Sequence, residues 1–406
     1  MPDPSEDGLL ERGIADQLPP PHPACRLCIT IPAKDEAEFI GATLKALQEQ
    51  GGLKGDLLSP DTYEVIILAN NCTDDTAERV RSFALTHPSF RLHLVELVIP
   101  RSVARVGLVR KLMMDEAWQR LPPGGIIATT DADTIVDRTW VAATFRAFER
   151  GARAVGGRIV VPPTERTGYR KIHLQDVTYR SLQALLESMI DPSAGDPWPR
   201  HFQHYGPSMA VSREAYRICG GMPPLSAIED AAFAWALERI DVELVHDPAV
   251  RVYTSDRDSG RIEGVAFSES LKEWANMQRE NRQPVVFGLQ HCIDLFKWKV
   301  ALRRAFYERR IGKLPVLFTL ADYLGCTPHE LQRQVVEAPS FGALYQDVRQ
   351  RLEATHSFSD RTFPQAITEL RRFTRSARGP LLFSTHRAGT DRPGAGKGGR
   401  IRSAAG

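Results

Sequence analysis

The chain has 406 residues, of which 42% are hydrophobic and 25% charged, as is ordinary for a soluble globular protein. Its 52 Lys and Arg balance 50 Asp and Glu, which excludes coating of polyanions by overall charge but leaves local basic patches open. Six cysteines in a chain of this length exclude a disulfide framework, so we expect reduced thiols and a cytoplasmic protein. No apolar run has bilayer length, and peripheral contact with the inner face of a membrane stays open.

The first half of the chain alternates strand and helix patterns. Residues 1–24 are proline-rich and acidic, and we expect them to be disordered. Apolar β-type runs follow at 27–31, 63–69, 90–99 and 154–161, and another begins at Gly125. Helical spacing separates them, as at 107–120 and 139–150. This alternation predicts the α/β class, with a mostly parallel sheet and helices on both faces.

The second half changes character. A helix is predicted over 167–189, before a proline-rich loop, and another over 228–239. From residue 264 the pattern is mostly helical and includes Thr327-Pro-His-Glu330, which has the residues of a capping box. We therefore expect a main domain at 25–262, a helical C-terminal region at 263–380 and a disordered basic tail at 388–406.

Two carboxylates follow the central strand, in the stretch Gly125-Ile-Ile-Ala-Thr-Thr-Asp-Ala-Asp-Thr134. Open α/β sheets bind ligands beyond the carboxyl ends of their strands. In extended backbone, Asp131 and Asp133 would point the same way and could hold one hard cation. The alternative interpretation is an ordinary turn, because Asp is common after strands.

Four further polar segments lie at predicted strand ends or helix starts: Pro32-Ala-Lys-Asp-Glu36, Asn70-Asn-Cys-Thr-Asp-Asp-Thr76, Gly107-Leu-Val-Arg-Lys111 and Ala227-Ile-Glu-Asp230. With Asp131-Ala-Asp133, their order over about Cys25 to Arg261 resembles the family 2 glycosyltransferases of the GT-A fold. The match departs from that family's usual pattern at Asp35, where Asn is usual, and at Asn70, where a carboxylate commonly contacts the nucleotide base.

The resemblance implies a nucleotide-sugar donor and a divalent cation, Mg²⁺ or Mn²⁺, held by Asp131 and Asp133 against the diphosphate. A cation there would stabilise the charge that the leaving group gains. The resemblance also implies a set of donor-binding residues, with Arg110 and Arg257 directed to the phosphates. The set is Pro32, Ala33, Glu36, Asn70, Asp74, Arg110, Asp131 and Arg257. A solvated helix face for Arg110 and a structural salt bridge for Arg257 are the alternatives.

Glu229 and Asp230 match the acceptor-side acid pair of the same family. Asp230 would be the general base, because an alcohol attacks poorly until its proton leaves. Ser226 to Glu229 also fits a capping box, in which Glu229 would close a helix and leave Asp230 available. The resemblance thus implies an inverting hexosyl transfer by single displacement to a hydroxyl acceptor, whether lipid, glycan or small metabolite.

Three other interpretations were open. A nucleotidyltransferase also uses paired acids and a metal, but Pro32 to Glu36 has no glycine-rich loop for a triphosphate. The departures at Asp35 and Asn70 favour a non-catalytic scaffold. The presence of Asp131, Asp133 and Asp230 together argues against it. His201 and His204 could ligate zinc, but no cysteine or acid at ligand spacing accompanies them, and His246 is expected to be structural. The sequence does not choose the sugar, the base or the acceptor.

Overall fold

The computed structural model describes residues 5–56, 58–161, 169–254, 266–312, 314–355 and 359–384. Its central sheet has seven strands: β1 (Leu27–Ala33), β2 (Tyr63–Asn70), β3 (Leu92–Leu97), β4 (Ile126–Thr129), β6 (Ala154–Gly156), β8 (Met209–Ser212) and β9 (Leu244–Val245). Their spatial order is β3-β2-β1-β4-β8-β6-β9, and only β8 runs antiparallel to its neighbours. The predicted mostly parallel sheet is confirmed.

Helices cover both faces of this sheet, because side chains alternate along each strand. Ile29 of β1 faces one apolar layer and Cys28 faces the other. The first layer is covered by α2 (Ile40–Gln48), α3 (Thr76–Thr86) and α5 (Trp140–Glu149). The second is covered by α4 (Val106–Arg120), α7 (Arg213–Ile218) and α8 (Glu229–Arg239).

A smaller three-stranded sheet lies beside the carboxyl edge of the main one. It consists of β5 (Thr134–Val136), β7 (Arg158–Val160) and β10 (Arg251–Thr254), in the order β5-β10-β7. The strand predicted over 154–161 is therefore wrong as a single element, since it divides between two sheets at Gly157. A Cβ on Gly157 would lie 1.9 Å from Ser208 Oγ, so only glycine allows this close approach.

The predicted disorder of residues 1–24 does not describe residues 5–24. This segment contains α1 (Glu6–Arg12), whose N-cap Ser5 accepts a hydrogen bond from Gly8. Leu9 and Ile14 are buried in the apolar layer under α4. Proline and acidic residues suggested disorder, but Leu9 and Ile14 pack the segment on the main domain.

The C-terminal region is helical, as predicted, and has apolar clusters of its own. Its helices are α9 (Ala266–Arg279), α10 (Leu289–Glu308), α11 (Pro315–Tyr323), α12 (Pro328–Glu337), α13 (Phe341–Thr355) and α14 (Phe363–Ser384). A helix from the preceding part of the chain, α6 (Arg170–Ile190), packs against this region. The capping box of Thr327 and Glu330 is confirmed. The two-stranded sheet of β11 (Val285–Phe287) and β12 (Ser359–Thr362) was not predicted. Within the described ranges, no helix combines the length and apolarity needed to cross a bilayer. The predicted tail, 388–406, lies outside those ranges.

Candidate active site

Arg110 lies at the centre of the carboxyl edge of the main sheet, where only 4% of it is exposed. Its Nη2 donates to Asp131 Oδ1 at 2.5 Å and its Nε to Glu229 Oε1 at 3.2 Å. Its Nη1 donates to Thr129 Oγ1 at 2.6 Å. One buried guanidinium thus joins the Asp-x-Asp segment to the acid pair, and the structure gives Arg110 protein carboxylates as partners. Its predicted contact with phosphates stays a prediction.

Gly206 brings a second segment against this arginine. A Cβ on Gly206 would lie 2.6 Å from Arg110 Nη2, so this position requires glycine. The backbone N–H of Gly206 donates to Asp230 Oδ2 at 2.9 Å. The close approach therefore also orients the predicted base.

The cluster around Arg110 carries more negative than positive charge. Burial raises the pKa of Asp131, and Asp133 and Asp230 raise it further against the opposing effect of Arg110. Burial also raises the pKa of Glu229, with a smaller opposing effect from Arg110. Burial by itself would lower the pKa of Arg110, but Asp131 and Glu229 outweigh it and keep the guanidinium charged. The carboxylates of Asp131 and Asp133 supply hard oxygen atoms, which are the ligands that a divalent ion such as Mg²⁺ or Mn²⁺ prefers.

The Asp-x-Asp segment itself is a turn and not the extended backbone that the spacing suggested. The Thr134 N–H donates to the Asp131 carbonyl at 3.2 Å. Ala132, between the two acids, is buried, and its carbonyl accepts from Thr43 Oγ1 at 2.8 Å. Asp131 and Asp133 are both half-buried, so each keeps one side towards solvent, where a cation can reach it.

The acid pair begins α8, but without the capping box predicted from Ser226. The N-cap is Ile228, which has a φ of 54° and makes no side-chain cap hydrogen bond. Glu229 points inward to Arg110, whereas Asp230 accepts from Gly206 and, at 2.7 Å, from the Ala231 N–H. The two acids therefore face different neighbours. Glu229 is bound by Arg110, and its predicted catalytic role stays a prediction.

Hydrogen bonds join the two loops that the resemblance assigns to the nucleotide. Asp35 Oδ1 accepts from the Thr73 N–H at 2.6 Å, and Asp74 Oδ2 accepts from the Ala37 N–H at 3.0 Å. The other Asp74 oxygen accepts from Thr76. The Asp74 carboxylate thus joins the loops. A nucleotide group that donates to Asp74, as predicted, would have to share the oxygens that already accept from Ala37 and Thr76. Asp35, Cys72 and Asp74 have ligand atoms within 4.8 Å of one another, and the loop hydrogen bonds account for both carboxylates.

The remaining donor-side residues lie at the ends of β1 and β2. Pro32 is half-buried, whereas Ala33 is 1% exposed, which leaves it only backbone contacts with a ligand. Glu36 donates through its N–H to Thr76 Oγ1 at 2.7 Å, which joins the same two loops. Asn70 is half-buried and makes no side-chain hydrogen bond within the part of the chain described. Its amide is therefore available for a base.

Histidines that the sequence singled out form a group beside Asp230. The ring centroid of His246 lies 5.4 Å from that of His201 and 5.9 Å from that of His204. His201 Nδ1 accepts from the Gln203 N–H at 3.1 Å, which places the ring proton on Nε2 and prevents zinc ligation there. His246 Nδ1 bonds to Asp196 Oδ2 at 2.7 Å, in agreement with the expected structural role. Arg257 lies outside the described residues.

Two contributors were missed in the sequence. Thr129, the last residue of β4, is buried and holds Arg110, but its type is common in strands and gave no signal. The link from Asp35 to Thr73 joins loops that are distant in the sequence. Neither contact follows a local spacing rule, so both became visible only in the folded chain.

Residues 28–216 match the family model described as glycosyl transferase family 2. A mannosyltransferase from Pyrobaculum calidifontis, solved with GDP-Man and Mn²⁺, is 18% identical; the match covers 83% of this chain and 90% of that one, with a TM-score of 0.42. TarS 1-349 of S. aureus, with UDP-GlcNAc, is 11% identical over 87% and 92%, with a TM-score of 0.41. Likenesses this distant assign no substrate to the chain. No curated protein matches the sequence.

Proposed function

Since residues 28–216 belong to glycosyl transferase family 2, we propose that the protein is a metal-dependent, inverting hexosyltransferase. It moves a sugar from a nucleotide-sugar donor to a hydroxyl acceptor. The observation that carries the proposal is the contact of Arg110 with both Asp131 and Glu229, because it brings the donor-side acids and the acceptor-side acid pair to one edge of the sheet.

Asp230 is the proposed general base. Its orientation is set by the N–H groups of Gly206 and Ala231, so no side-chain search precedes proton transfer. The acceptor oxygen forms a bond to the anomeric carbon while the bond from that carbon to the phosphate oxygen breaks. The acceptor proton passes to Asp230, and the nucleoside diphosphate leaves with the bonding electrons.

Asp131 and Asp133 would hold the Mg²⁺ or Mn²⁺ ion. When bound, the ion supplies positive charge to the diphosphate. Arg110 is buried beneath the same carboxylates and offsets part of their mutual repulsion before the ion arrives. On the donor side, Asn70 would bind the base, and the joined loops of Pro32 to Glu36 and Asn70 to Thr76 would form the wall of the nucleotide site.

Inversion is supported by the uneven engagement of the acids. A retaining enzyme with a covalent intermediate needs a second carboxylate that can attack the anomeric carbon. Asp131 and Glu229 are both bound to Arg110, which reduces their nucleophilicity, and Asp230 faces the loop on the acceptor side. A single displacement needs only one base, Asp230, and needs no nucleophilic attack by Asp131 or Glu229. We place this reaction in the cytoplasm, at the inner membrane face.

The proposal can be tested by thermal unfolding and by donor turnover. Wild-type protein would be heated with each nucleoside diphosphate, with and without Mn²⁺, beside Asp131→Asn and Asp230→Asn. A ligand at about a hundred times its dissociation constant stabilises the folded state by roughly 2.7 kcal/mol. We expect one diphosphate to stabilise the wild type and Asp230→Asn in the presence of Mn²⁺, but not Asp131→Asn. Asp322→Asn, an exposed carboxylate in α11, is the matched control.

Turnover then separates the alternatives. Transfer of sugar to a hydroxyl acceptor by the wild type, with its loss in Asp230→Asn alone among the nucleotide-binding variants, supports the proposal. Nucleotide binding without any consumption of donor would favour the scaffold. Consumption of nucleoside triphosphate with release of pyrophosphate would favour the nucleotidyltransferase.

A further inference from the structure

A basic groove runs between α6 and α14, on the C-terminal region. It has a volume of about 420 Å³. Its polar lining residues are Lys171, Gln175 and Thr178 of α6 and Thr368 and Arg371 of α14, and its other lining residues are apolar. None of its lining residues is acidic. Two cations with hydroxyl and amide donors between them are the side chains that bind a phosphate group.

The cations of this groove are not neutralised by the protein. Lys171 and Arg371 are exposed and take part in no ion pair within the described ranges, and the same holds for Arg372 and Arg375 of α14. Other cations of the helical region do have partners. These are Lys299 with Glu187, Arg303 with Asp191 and Arg361 with Glu369. Four cations that are unpaired among the described residues therefore lie on α6 and α14, and two of them, Lys171 and Arg371, line the same groove.

Helical spacing extends the groove into a basic stripe. Pro364, Thr368, Arg371 and Arg375 are three or four residues apart and so share one face of α14. Leu174, also in the groove, is 53% exposed. Exposed leucine beside cations is the composition of surfaces that lie at the boundary between lipid headgroups and acyl chains.

Positive charge is also concentrated at the C-terminal end of the sequence. Residues 363–406 contain nine Lys and Arg against two Asp and Glu, a net charge of +7. The preceding 362 residues contain 43 basic and 48 acidic residues, a net charge of −5. An anionic surface would therefore attract the C-terminal segment and repel the remainder of the chain.

We propose that the groove between α6 and α14, together with the basic stripe of α14, binds the phosphate headgroups of anionic lipids at a bilayer surface. Each Lys or Arg close to such a surface raises the partition coefficient by about fivefold. The groove positions headgroups between Lys171 and Arg371, and Leu174 meets the acyl boundary. The protein lies on the membrane through this region while the carboxyl edge of the sheet remains a separate site.

The test is sedimentation of the full chain with vesicles of phosphatidylcholine alone and of phosphatidylcholine with 30% phosphatidylglycerol. We expect binding only to the anionic vesicles and at least a tenfold loss when salt rises from about 0.1 M to 0.5 M, because screening shortens the reach of the charges. The triple variant Lys171→Gln, Arg371→Gln, Arg375→Gln should lose at least tenfold in partition coefficient. A matched triple variant, Lys54→Gln, Arg79→Gln, Arg150→Gln, removes the same charge elsewhere and should change it less than about threefold.

A further variant separates the groove from the charge. Thr368→Phe fills the groove and keeps every cation, and it should weaken binding by about three- to tenfold if headgroups enter the groove. The proposal is overturned if wild-type protein ignores anionic vesicles, if the two triple variants behave alike, or if Thr368→Phe binds as the wild type does. Binding to single-stranded RNA with no binding to vesicles would also overturn it. Thermal unfolding of each variant checks that the fold is retained.

Discussion

Helix α4 has a buried arginine near each of its ends, and the protein neutralises the two in opposite ways. Arg120, at the amino edge of the sheet, forms two hydrogen bonds with Glu64, at 2.9 and 2.7 Å, and a third with the Pro19 carbonyl at 2.8 Å. Burial by itself would raise the pKa of Glu64, but Arg120 and His93 outweigh it and lower the pKa to about 2. This pair is balanced and closed.

Arg110, at the carboxyl edge, is surrounded by three carboxylates, Asp131, Glu229 and Asp230, and burial raises the pKa of the first two. The same residue type on the same helix therefore belongs to a structural pair at one end and to an unbalanced cluster at the other. The comparison teaches that burial of an arginine does not identify a site. A cluster of several carboxylates beside it is the better indicator.

Among single substitutions, the largest effect on stability is expected from breaking the balanced pair. Glu64→Gln removes both hydrogen-bonded carboxylate oxygens from Arg120 and leaves it only the more distant Glu116, and we expect the free energy of unfolding to fall by about 3 kcal/mol. Urea denaturation followed by circular dichroism measures it. Glu116→Gln is the control, because Glu116 lies 3.9 Å from Arg120 and its pKa is already raised by burial. A loss below about 1 kcal/mol for Glu64→Gln would show that the pair is not structural.

Asp131→Asn should give the opposite result at the other end of α4. Removing one of several like charges leaves Arg110 with Glu229, so we expect the free energy of unfolding to change by less than about 1 kcal/mol. Sugar transfer should fall by about a hundredfold or more, because the charge facing the diphosphate changes. Denaturation and initial-rate measurements on one preparation test both parts. Destabilisation equal to that of Glu64→Gln would remove the distinction between the two ends.

Acid titration sharpens the comparison with groups that are buried without a balancing charge. Burial lowers the pKa of His201 to about 3 and of His204 to about 4. In the unfolded chain both titrate near 6.5, so the unfolded state binds more protons below that pH. The stabilisation is complete above pH 6.5 and is lost as pH falls towards 4. We expect a loss of about 4 kcal/mol between pH 7 and 5, measured by denaturation.

The double variant His201→Gln, His204→Gln should remove most of that slope between pH 7 and 5. The pair of Glu64 and Arg120 contributes only at lower pH, since its stabilisation is present above the ordinary pKa of Glu and is lost as pH falls towards 2. An unchanged slope in the double variant would assign the acid sensitivity to other groups.

The smallest effect concerns backbone strain, which also differs between the two edges. Asp35, Asn71 and Ile228 have positive φ and lie in loops at the carboxyl edge. Ile228 is the costly one, because a β-branched residue rarely adopts this conformation, and 45% of it is exposed. Ile228→Asn should raise the free energy of unfolding by about 1 kcal/mol. Ile228→Val keeps the branch and should leave stability unchanged; equal stability of all three proteins would mean that no strain is stored there.

The sequence by itself determined the features that depend on nearby residues. The alternation of β1, β2 and their helices and the capping box at Thr327 follow from side-chain periods and from contacts within four residues. The sequence also predicted that the acid motifs lie together, because β2, β1 and β4 are neighbouring parallel strands and their carboxyl ends meet at one edge of the sheet.

Only the tertiary structure decided which of these groups are in contact. Arg110 donates to Asp131 and Glu229, and the Gly206 N–H donates to Asp230, across long separations in sequence. The division of the strand at Gly157 and the packing of Leu9 likewise depended on surfaces supplied by distant segments. Local patterns carry no information about such partners, because charge balance and close packing are properties of the assembled core and not of neighbours along the chain.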